Sequence, residues 1–422
     1  MKSLTALLFF ICSLSLAQNT IEQDITNIEN KLIEWRHHFH KNPELSNQEF
    51  KTAEKIAQHL KSIGLEVETG IAKTGVVALL KGDKPGKVVA LRADIDALPV
   101  TERNDLPYKS EVRTTFLNTE TGVMHACGHD THISILMATA EVLSQHKDKI
   151  NGTVKFIFQP AEEGPPPGEE GGAKLMIKEG VLENTKVDAI FGLHINSETQ
   201  LGTIEYKTGG IMASVERFVI DVQGKQTHGS QPWSGVDPIM ISAKIIDGLQ
   251  TIISRESKLT NEAAVITVGK ITAGTRFNII PESAEMIGTV RTLDPKMRAH
   301  IEKRMKEMVE TIAKAYGGQA TITFQNNTSI TFNDPELTEQ ILPSLQKVAG
   351  ETNVIIMKAT TGGEDFSYFQ EIVPGVYFFL GGMTPGNTEV FPHHTPDFKI
   401  DDRSMLLGVK AFTQVTLDYL NN

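Results

Sequence analysis

The order of predicted strands and helices changes inside this chain, and that change most limits the folds open to it. In the first half, apolar strands such as 187–193 alternate with amphipathic helices such as 47–63. This alternation is typical of an α/β domain, a mixed sheet flanked by helices. At 209–325 the predicted order is instead β-α-β-β-α-β, the ferredoxin-like pattern. We therefore expect an α/β domain at 18–208 and 326–422 that is interrupted by an inserted α+β domain.

The inserted domain is defined by four predicted strands and two predicted helices. The strands are expected at 214–223, 264–271, 282–291 and 321–325, and the helices at 238–254 and 295–315. After residue 334 the chain returns to α/β character, so the first domain continues to the end of the sequence.

The composition fits a globular protein and argues against one class of partner. Hydrophobic residues make up 40% and charged residues 22% of the 422 positions, which is ordinary for a globular chain of about two to three domains. The net charge is −11. Nonspecific nucleic-acid binding depends on basic surface, so we expect no nucleic-acid partner.

The first 17 residues are predicted to be a signal peptide. Lys2 precedes an apolar run at 4–16, and Ser15-Leu16-Ala17 offers small residues where a signal peptidase cleaves. The run is shorter than the roughly 20 apolar residues that span a membrane, and no later segment qualifies as a span. A lipoprotein anchored at Cys12 is disfavoured because large residues precede it. We therefore expect an exported protein, periplasmic or secreted, that begins at Gln18.

The ten residues from Val123 to His132 are the densest cluster of metal-binding side chains. They read Val-Met-His-Ala-Cys-Gly-His-Asp-Thr-His. Cys127 is the sole cysteine after the signal peptide, so it cannot form an internal disulfide in an exported protein. Thiolate and imidazole bind zinc and similar cations, and Gly128 lets the backbone turn so that Cys127 and His129 face one ion. A small buried cysteine without a ligand is the alternative.

Two pairs of carboxylates follow predicted strands. Asp94 and Asp96 stand two residues apart, so an extended chain presents both on one face, where a carboxylate can bind a cation or orient a ligand histidine. Glu162 and Glu163 are adjacent, and an extended chain points them in different directions. One can then bind a cation while the other takes a proton from water. The alternative for this pair is a solvated acidic loop.

Several histidines are candidate ligands, and the residues alone do not choose among them. His194 follows the apolar strand at 187–193, where a histidine is more often structural. His393 and His394 lie in a loop with prolines on both sides, which suits a ligand. A histidine cluster at 37–40 is interpreted as structural, because no acidic or cysteine partner is spaced with it.

The inserted domain has candidates of its own. His228 lies in a turn-rich loop after a strand, and Arg276 and Asn278 lie in a loop between strands. An arginine can bind a substrate carboxylate, and an asparagine can donate a hydrogen bond to an oxyanion. For each of them an ordinary solvent-exposed loop is the alternative.

Together these motifs resemble the M20 metallopeptidase family, and within it the amidohydrolase branch. That branch includes auxin-conjugate hydrolases, hippurate hydrolases and N-acyl-amino-acid deacetylases. The resemblance extends over nearly all of the chain after the signal peptide. It is carried by Arg36 and the segments 43–46, 92–99, 125–130, 159–164, 362–366 and 394–396.

The resemblance implies a site for two divalent metal ions. Cys127 would bridge the ions. His129 and His194 would complete one ligand set, and Glu163 and His394 the other. Zinc, manganese, cobalt and nickel all suit such a mixed set, so the ion stays open. Much of the wider family bridges with an aspartate instead, so the metal preference of those relatives is not transferred.

The resemblance also implies roles for residues that do not bind metal. Asp96 matches a supporting carboxylate, and Glu162 matches the general base. His228 matches a histidine that reaches the partner's active site in dimeric relatives, and Asn278 matches a substrate-binding residue. We therefore expect a homodimer through the inserted domain, which would act as a dimerisation (lid) domain.

The expected activity is a metal-dependent amidohydrolase. Its small-molecule substrates would be N-acyl amino acids, cleaved to a carboxylic acid and a free amino acid with Glu162 as general base. A dipeptidase or carboxypeptidase of the same fold is the main alternative. A non-catalytic metal- or ligand-binding protein is the third, and the complete set of candidate ligands argues against it.

Overall fold

The computed structural model describes residues 21–386 and 390–422, and the predicted signal peptide at 1–17 lies outside them. The strands are β1 (Glu66–Ile71), β2 (Gly75–Lys81), β3 (Lys84–Asp94), β4 (Arg113–Phe116), β5 (Thr119–Gly122), β6 (Asn151–Gln159), β7 (Ala189–Gln200), β8 (Ile204–Tyr206), β9 (Gly209–Met212), β10 (Val215–Gln223), β11 (Thr227–His228), β12 (Ala264–Ala273), β13 (Ile279–Ile280), β14 (Ser283–Thr292), β15 (Gln319–Thr328), β16 (Thr331–Asn333), β17 (Val354–Ile356) and β18 (Gly375–Met383).

The α-helices follow the same chain order. They are α1 (Glu29–Lys41), α2 (Phe50–Ser62), α3 (His129–Ser144), α4 (Gly172–Lys178), α5 (Pro238–Thr251), α6 (Pro295–Ala315), α7 (Pro335–Ala349), α8 (Ser367–Gln370) and α9 (Met405–Asn421). Among the residues described, no helix is both long and apolar enough to cross a membrane.

Three of these helices begin at an Asp-Pro pair. Asp237, Asp294 and Asp334 each accept a hydrogen bond from a main-chain N–H in the first turn of α5, α6 and α7. The proline that follows suits the first helical position, because the N–H that it lacks would have had no partner inside the helix. These helix starts are therefore fixed by local sequence.

The chain divides into two compact units. The first contains the described residues up to Thr208 together with Asn333–Met357 and Phe369–Asn422. The second contains Gly209–Phe332 and Lys358–Tyr368. The second unit thus starts at the residue expected for the inserted domain, ends later than residue 325, and includes a separate later segment.

The first unit is built on a mixed eight-stranded sheet. Its order is β1-β2-β6-β3-β7-β18-β8-β17. The central strands β6, β3, β7 and β18 run parallel, and antiparallel strands such as β1 and β2 lie towards the edges. Helix α3 is buried along nearly its whole length in the core of this unit. The predicted α/β class with a mixed sheet is confirmed.

The second unit has the predicted ferredoxin-like topology. Its antiparallel sheet has the order β12-β14-β10-β15, and α5 and α6 supply the helices of the β-α-β-β-α-β order. Alternate residues of β10 are buried, so one face of that strand packs into a separate core with Ile241 and Val309 of the two helices. The period-two burial explains why this strand was readable from the sequence.

One strand is longer than expected. The sequence predicted a strand from 187 that ends on His194, but β7 runs from Ala189 to Gln200 and carries His194 inside it. That expectation was wrong because β18 pairs with the extension, with Met383 opposite Gln200. Polar residues in the extension interrupt the apolar pattern, although the backbone stays extended.

Candidate active site

The candidate site forms where two parallel strands of the first unit end. Asp94 at the end of β3 is in register with Gln159 at the end of β6. The N–H of Ile95 donates to the carbonyl oxygen of Gln159 at 2.9 Å. The segments that follow the two strands therefore leave the sheet side by side, which brings Asp96 and the Glu162–Glu163 pair together.

Gly128 makes the turn between Cys127 and α3. Its φ is +94°, a left-handed conformation that a residue with a side chain rarely adopts. A Cβ at this position would also lie 2.3 Å from Cγ2 of Ile195. The expectation of a tight turn at Gly128 is confirmed, and it lets α3 begin at His129 directly after Cys127.

A first group of potential ligands contains Cys127, His129 and His194. Their ligand-capable atoms lie within 4.8 Å of one another, and Cys127 Sγ is 3.4 Å from His194 Nε2. His194 Nδ1 lies 2.6 Å from the carbonyl oxygen of Ile195. Since a carbonyl only accepts, Nδ1 carries the proton and the Nε2 lone pair faces Cys127.

The orientation of His129 is set in the same way. Its Nδ1 is 2.9 Å from the carbonyl oxygen of Asp96, so Nδ1 donates. Its Nε2 is buried and has no hydrogen-bond partner among the described residues. A buried polar atom without a partner is costly, and a cation bound at Nε2 would supply that partner.

A second group contains Cys127, Glu163 and His394. His394 Nε2 lies 3.2 Å from Cys127 Sγ and 3.1 Å from Glu163 Oε1. The three ligand-capable atoms again lie within 4.8 Å of one another. Cys127 is thus shared between the two groups.

His393 and His394 differ in what their rings contact. His393 Nδ1 is 3.2 Å from the carbonyl oxygen of Cys127, and its Nε2 accepts from the N–H of Ser197 at 3.2 Å. Both ring nitrogens are therefore used by the main chain. His394 instead has φ 61° and turns its ring to Cys127 Sγ.

Glu162 and Glu163 do not point in different directions, as an extended chain would require. The preceding Ala161 has φ 52°, so the chain turns instead of continuing the strand. Glu162 Oε2 lies 3.8 Å and Glu163 Oε1 3.9 Å from His129 Nε2. The extended geometry was wrong, and both carboxylates face the same imidazole.

Asp96 connects the two glutamates to His129. Its Oδ1 lies 3.2 Å from His129 Nδ1. Its Oδ2 accepts from the hydroxyl of Ser46 at 2.7 Å and from the N–H of Glu163 at 3.0 Å. Ser46 belongs to a motif noted in the sequence, but its contact with Asp96 spans 50 positions and had no local signal.

Asp94 has different partners. It lies 2.6 Å from Arg92 Nη1 and 2.6 Å from His132 Nδ1. His132 Nε2 in turn accepts from the N–H of Ile195 at 2.9 Å, next to His194. Sequence reasoning did not assign His132 a role. Its position one helical turn after His129 was the available signal.

The histidine cluster at 37–40 finds acidic partners far along the chain. His40 is buried, with Nδ1 2.9 Å from Asp130 and Nε2 3.2 Å from Glu102. His37 Nε2 is 2.7 Å from Asp402. None of these residues belongs to a candidate ligand group in the part of the chain that the structure describes, which agrees with a structural role.

The candidate ligands lie among several buried carboxylates, whose negative charges raise the pKa values of the neighbouring thiol and imidazole. Burial raises the pKa of the Cys127 thiol well above its ordinary value, and Glu163 and Glu162 raise it further. Burial lowers the pKa of His129, but Asp94 and Asp96 outweigh it and raise that pKa to about 10. Cations would replace these protons and leave thiolate, imidazole and carboxylate ligands, so the residues fit a metal site.

The candidates of the inserted domain lie in the second unit. His228 pairs with Ile279 across the short β11–β13 ladder, and the N–H of Gly229 donates to the carbonyl oxygen of Asn278 at 2.9 Å. His228 and Arg276 are exposed. The N–H of Ser230 donates to His228 Nδ1 at 3.0 Å, so the neutral ring carries its proton on Nε2.

Comparisons with known proteins give consistent matches over most of the chain. The model of Peptidase family M20/M25/M40 matches residues 90–418. Thermostable carboxypeptidase 2 of Saccharolobus solfataricus is 40% identical, over 95% of this chain and 98% of that protein. N-acetyl-L-cysteine deacetylase of Bacillus subtilis is 36% identical, over 93% and 89%. The crystal structure of the Bacillus subtilis YXEP protein, a dinuclear metal-binding M20 peptidase, aligns with a TM-score of 0.78 at 36% identity, over 94% and 99%.

Proposed function

This chain belongs to peptidase family M20/M25/M40 and is a hydrolase of amide bonds, and we propose that it cleaves N-acyl amino acids to a carboxylic acid and a free amino acid. One observation carries the proposal. Two groups of metal-binding side chains share Cys127. Glu162 belongs to neither of these two, although it could form another group with His129 and Glu163, and its Oε2 lies 3.8 Å from His129 Nε2.

The proposal assigns a divalent cation to each group. His129 and His194 would hold one, Glu163 and His394 the other, and Cys127 both. When bound, such ions polarise a carbonyl and lower the pKa of water. The sulfur, nitrogen and oxygen donors suit zinc, manganese, cobalt or nickel.

Glu162 is proposed to move the proton. Its Oε2 lies 3.8 Å from His129 Nε2, so it faces the site from the same side as Glu163. In this position it would accept a proton from the attacking water and return it to the leaving amine. Asp96 would keep His129 oriented, since it contacts Nδ1 of that ring.

The second unit is proposed to complete the site from a partner subunit. The Nε2–H of the exposed His228 would donate to the oxygen of the scissile carbonyl. Asn278 would help to bind the substrate, and Arg276 would bind the substrate carboxylate. A homodimer through this unit is supported by β12, an edge strand of its sheet, whose Val265 and Ile271 are exposed. We also propose that the protein is exported, to the periplasm or the medium.

A substrate panel tests the reaction class. Metal-stripped protein is reloaded separately with zinc, manganese, cobalt or nickel, and release of free amino acid is measured from N-acetyl, N-benzoyl and indole-acetyl amino acids. Free dipeptides and N-blocked dipeptides form the comparison set. Faster turnover of one acyl class supports the proposal and identifies the substrate and the best ion together.

The second candidate is a carboxypeptidase or dipeptidase, which the 40% identity to a carboxypeptidase favours. Turnover of free or N-blocked dipeptides, without turnover of the N-acetyl, N-benzoyl or indole-acetyl amino acids, would favour this second candidate. If no substrate is turned over while two ions bind each chain, both enzyme assignments fail and a binding protein remains.

A further inference from the structure

The turn that carries Glu162 begins in an unfavourable backbone conformation. Ala161 has φ 52° and is buried. A residue with a side chain enters the left-handed region at a cost in free energy, so the surrounding structure must hold it there. Whatever holds Ala161 also determines where Glu162 points.

Two buried carboxylates hold this turn, one on each side of Glu162. Glu49 Oε1 accepts from the N–H of Ala161 at 2.9 Å. Asp96 Oδ2 accepts from the N–H of Glu163 at 3.0 Å. Asp96 also contacts His129, whereas the other oxygen of Glu49 accepts from Thr74, and neither carboxylate belongs to a candidate ligand group among the described residues. The two carboxylates therefore have different tasks.

Glu49 is itself held in place. It is fully buried at the start of α2, and its second oxygen accepts from the hydroxyl of Thr74 at 2.6 Å. Burial, with Asp96 nearby, raises the pKa of Glu49 to about 7. A buried acid is unfavourable for folding unless its oxygens are hydrogen-bonded, and both oxygens of Glu49 accept a hydrogen bond.

We infer that Glu49 is a positioning residue for Glu162: it accepts the N–H of Ala161 and so holds the left-handed turn that points the Glu162 carboxylate at the site. The inference rests on the proposed function, in which Glu162 moves the proton. It requires an acceptor at the right distance and does not require a negative charge.

Two substitutions of Glu49 separate the effect of side-chain length from the effect of negative charge. In E49Q the amide oxygen can still accept from Ala161 N–H, and the amide group can donate to the Thr74 oxygen, so kcat should stay within about twofold of wild type. E49D keeps the charge but is one methylene shorter. With the turn released, kcat should fall by about 10- to 100-fold with little change in KM.

The assay uses full-length protein with both metals bound and the best N-acyl substrate of the panel. A reversed order, with E49D active and E49Q impaired, would give Glu49 a charge-dependent role and overturn the inference. Equal kcat in both variants would also overturn it. Wild-type protein without turnover of any N-acyl amino acid would refute the proposed function instead.

Two further measurements do not depend on comparing those two rates. Glycine enters the left-handed region readily, so adding A161G to E49D should recover at least about fivefold of the lost kcat, and no recovery would contradict the inference. Crystal structures of E49Q and E49D should differ at Ala161 and in the distance from Glu162 to His129. An unchanged Glu162 in E49D would overturn the inference whatever the activity.

Discussion

Asp96 offers a sharp test of how the site is assembled, because it contacts His129, Ser46 and Glu163 at once. Burial alone would raise the pKa of Asp96, but its hydrogen bonds with His129 and Ser46 lower it below the ordinary value. The side chain is therefore an ionised acceptor. Asp96→Asn keeps the shape but removes one acceptor oxygen and turns an N–H₂ group towards other donors.

The magnitude follows from those contacts. Oδ2 of Asp96 accepts from Ser46 and from the N–H of Glu163, and Oδ1 faces His129. Asparagine has a single acceptor oxygen, so at least one of these donors would lose its acceptor. A buried donor left without an acceptor costs about 1–3 kcal/mol in the free energy of unfolding. Loss of support for His129 should weaken metal binding by about 10- to 100-fold, or about 1.4–2.7 kcal/mol.

The assay is titration of metal-free protein with zinc by calorimetry, together with thermal unfolding. Asp83→Asn is the matched control, because Asp83 is exposed and its carboxylate forms no hydrogen bond or ion pair with the described residues; its main-chain N–H donates to the carbonyl oxygen of Lys147. The control should behave like wild type. If Asp96→Asn binds zinc with unchanged affinity, the role of Asp96 in supporting His129 is refuted.

Three further outcomes are expected. Metal content per chain is measured by plasma mass spectrometry. H194A and H394A should each retain about one ion, whereas C127A should lose affinity for both, because only Cys127 belongs to both groups. If C127A loses only one ion, Cys127 is not a shared ligand. Burial lowers the pKa of His59 to about 4, so the folded state resists protonation and stability should fall as pH drops from about 6.5 towards 4. H59Q should remove about 1.8 kcal/mol of that loss between pH 7 and 5 in denaturant titrations, and an unchanged pH dependence of the unfolding free energy in H59Q would refute this. Lys155 is buried and donates to the carbonyl oxygens of Val181, Asn184 and Thr185, so K155M should cost about 2–3 kcal/mol by thermal unfolding, and an unchanged Tm would contradict this.

The fold was predictable where local signals determine it. The order of elements within 209–325 and the helix starts at 238 and 295 depend on signals within a few residues, and both were predicted from the sequence. The order of strands within each sheet comes from pairing across long separations, for example β12 beside β14 and β10 beside β15. The spacing of apolar residues along a strand does not specify which other strand pairs with it. The same reason explains the length of β7, which its pairing with β18 determines.

The candidate site was predictable in its residues more than in its geometry. Thiol, imidazole and carboxylate types at the ends of strands indicated a metal site, and the family resemblance supplied the pairing with Cys127. The turn at Ala161 depends on a hydrogen bond to Glu49, which lies 112 positions away. No local pattern reveals that contact, so the directions of Glu162 and Glu163 were wrongly expected.

Glu162 is proposed to move the proton at a site that would hold two metal ions. The direct test is Glu162→Gln, assayed for metal content and turnover of the best N-acyl amino acid, with Glu170→Gln as an exposed control on the following loop. The variant should retain two ions per chain while kcat falls by about 100-fold or more, and the control should match wild type. Full activity in Glu162→Gln would show that Glu162 is not the group that moves the proton.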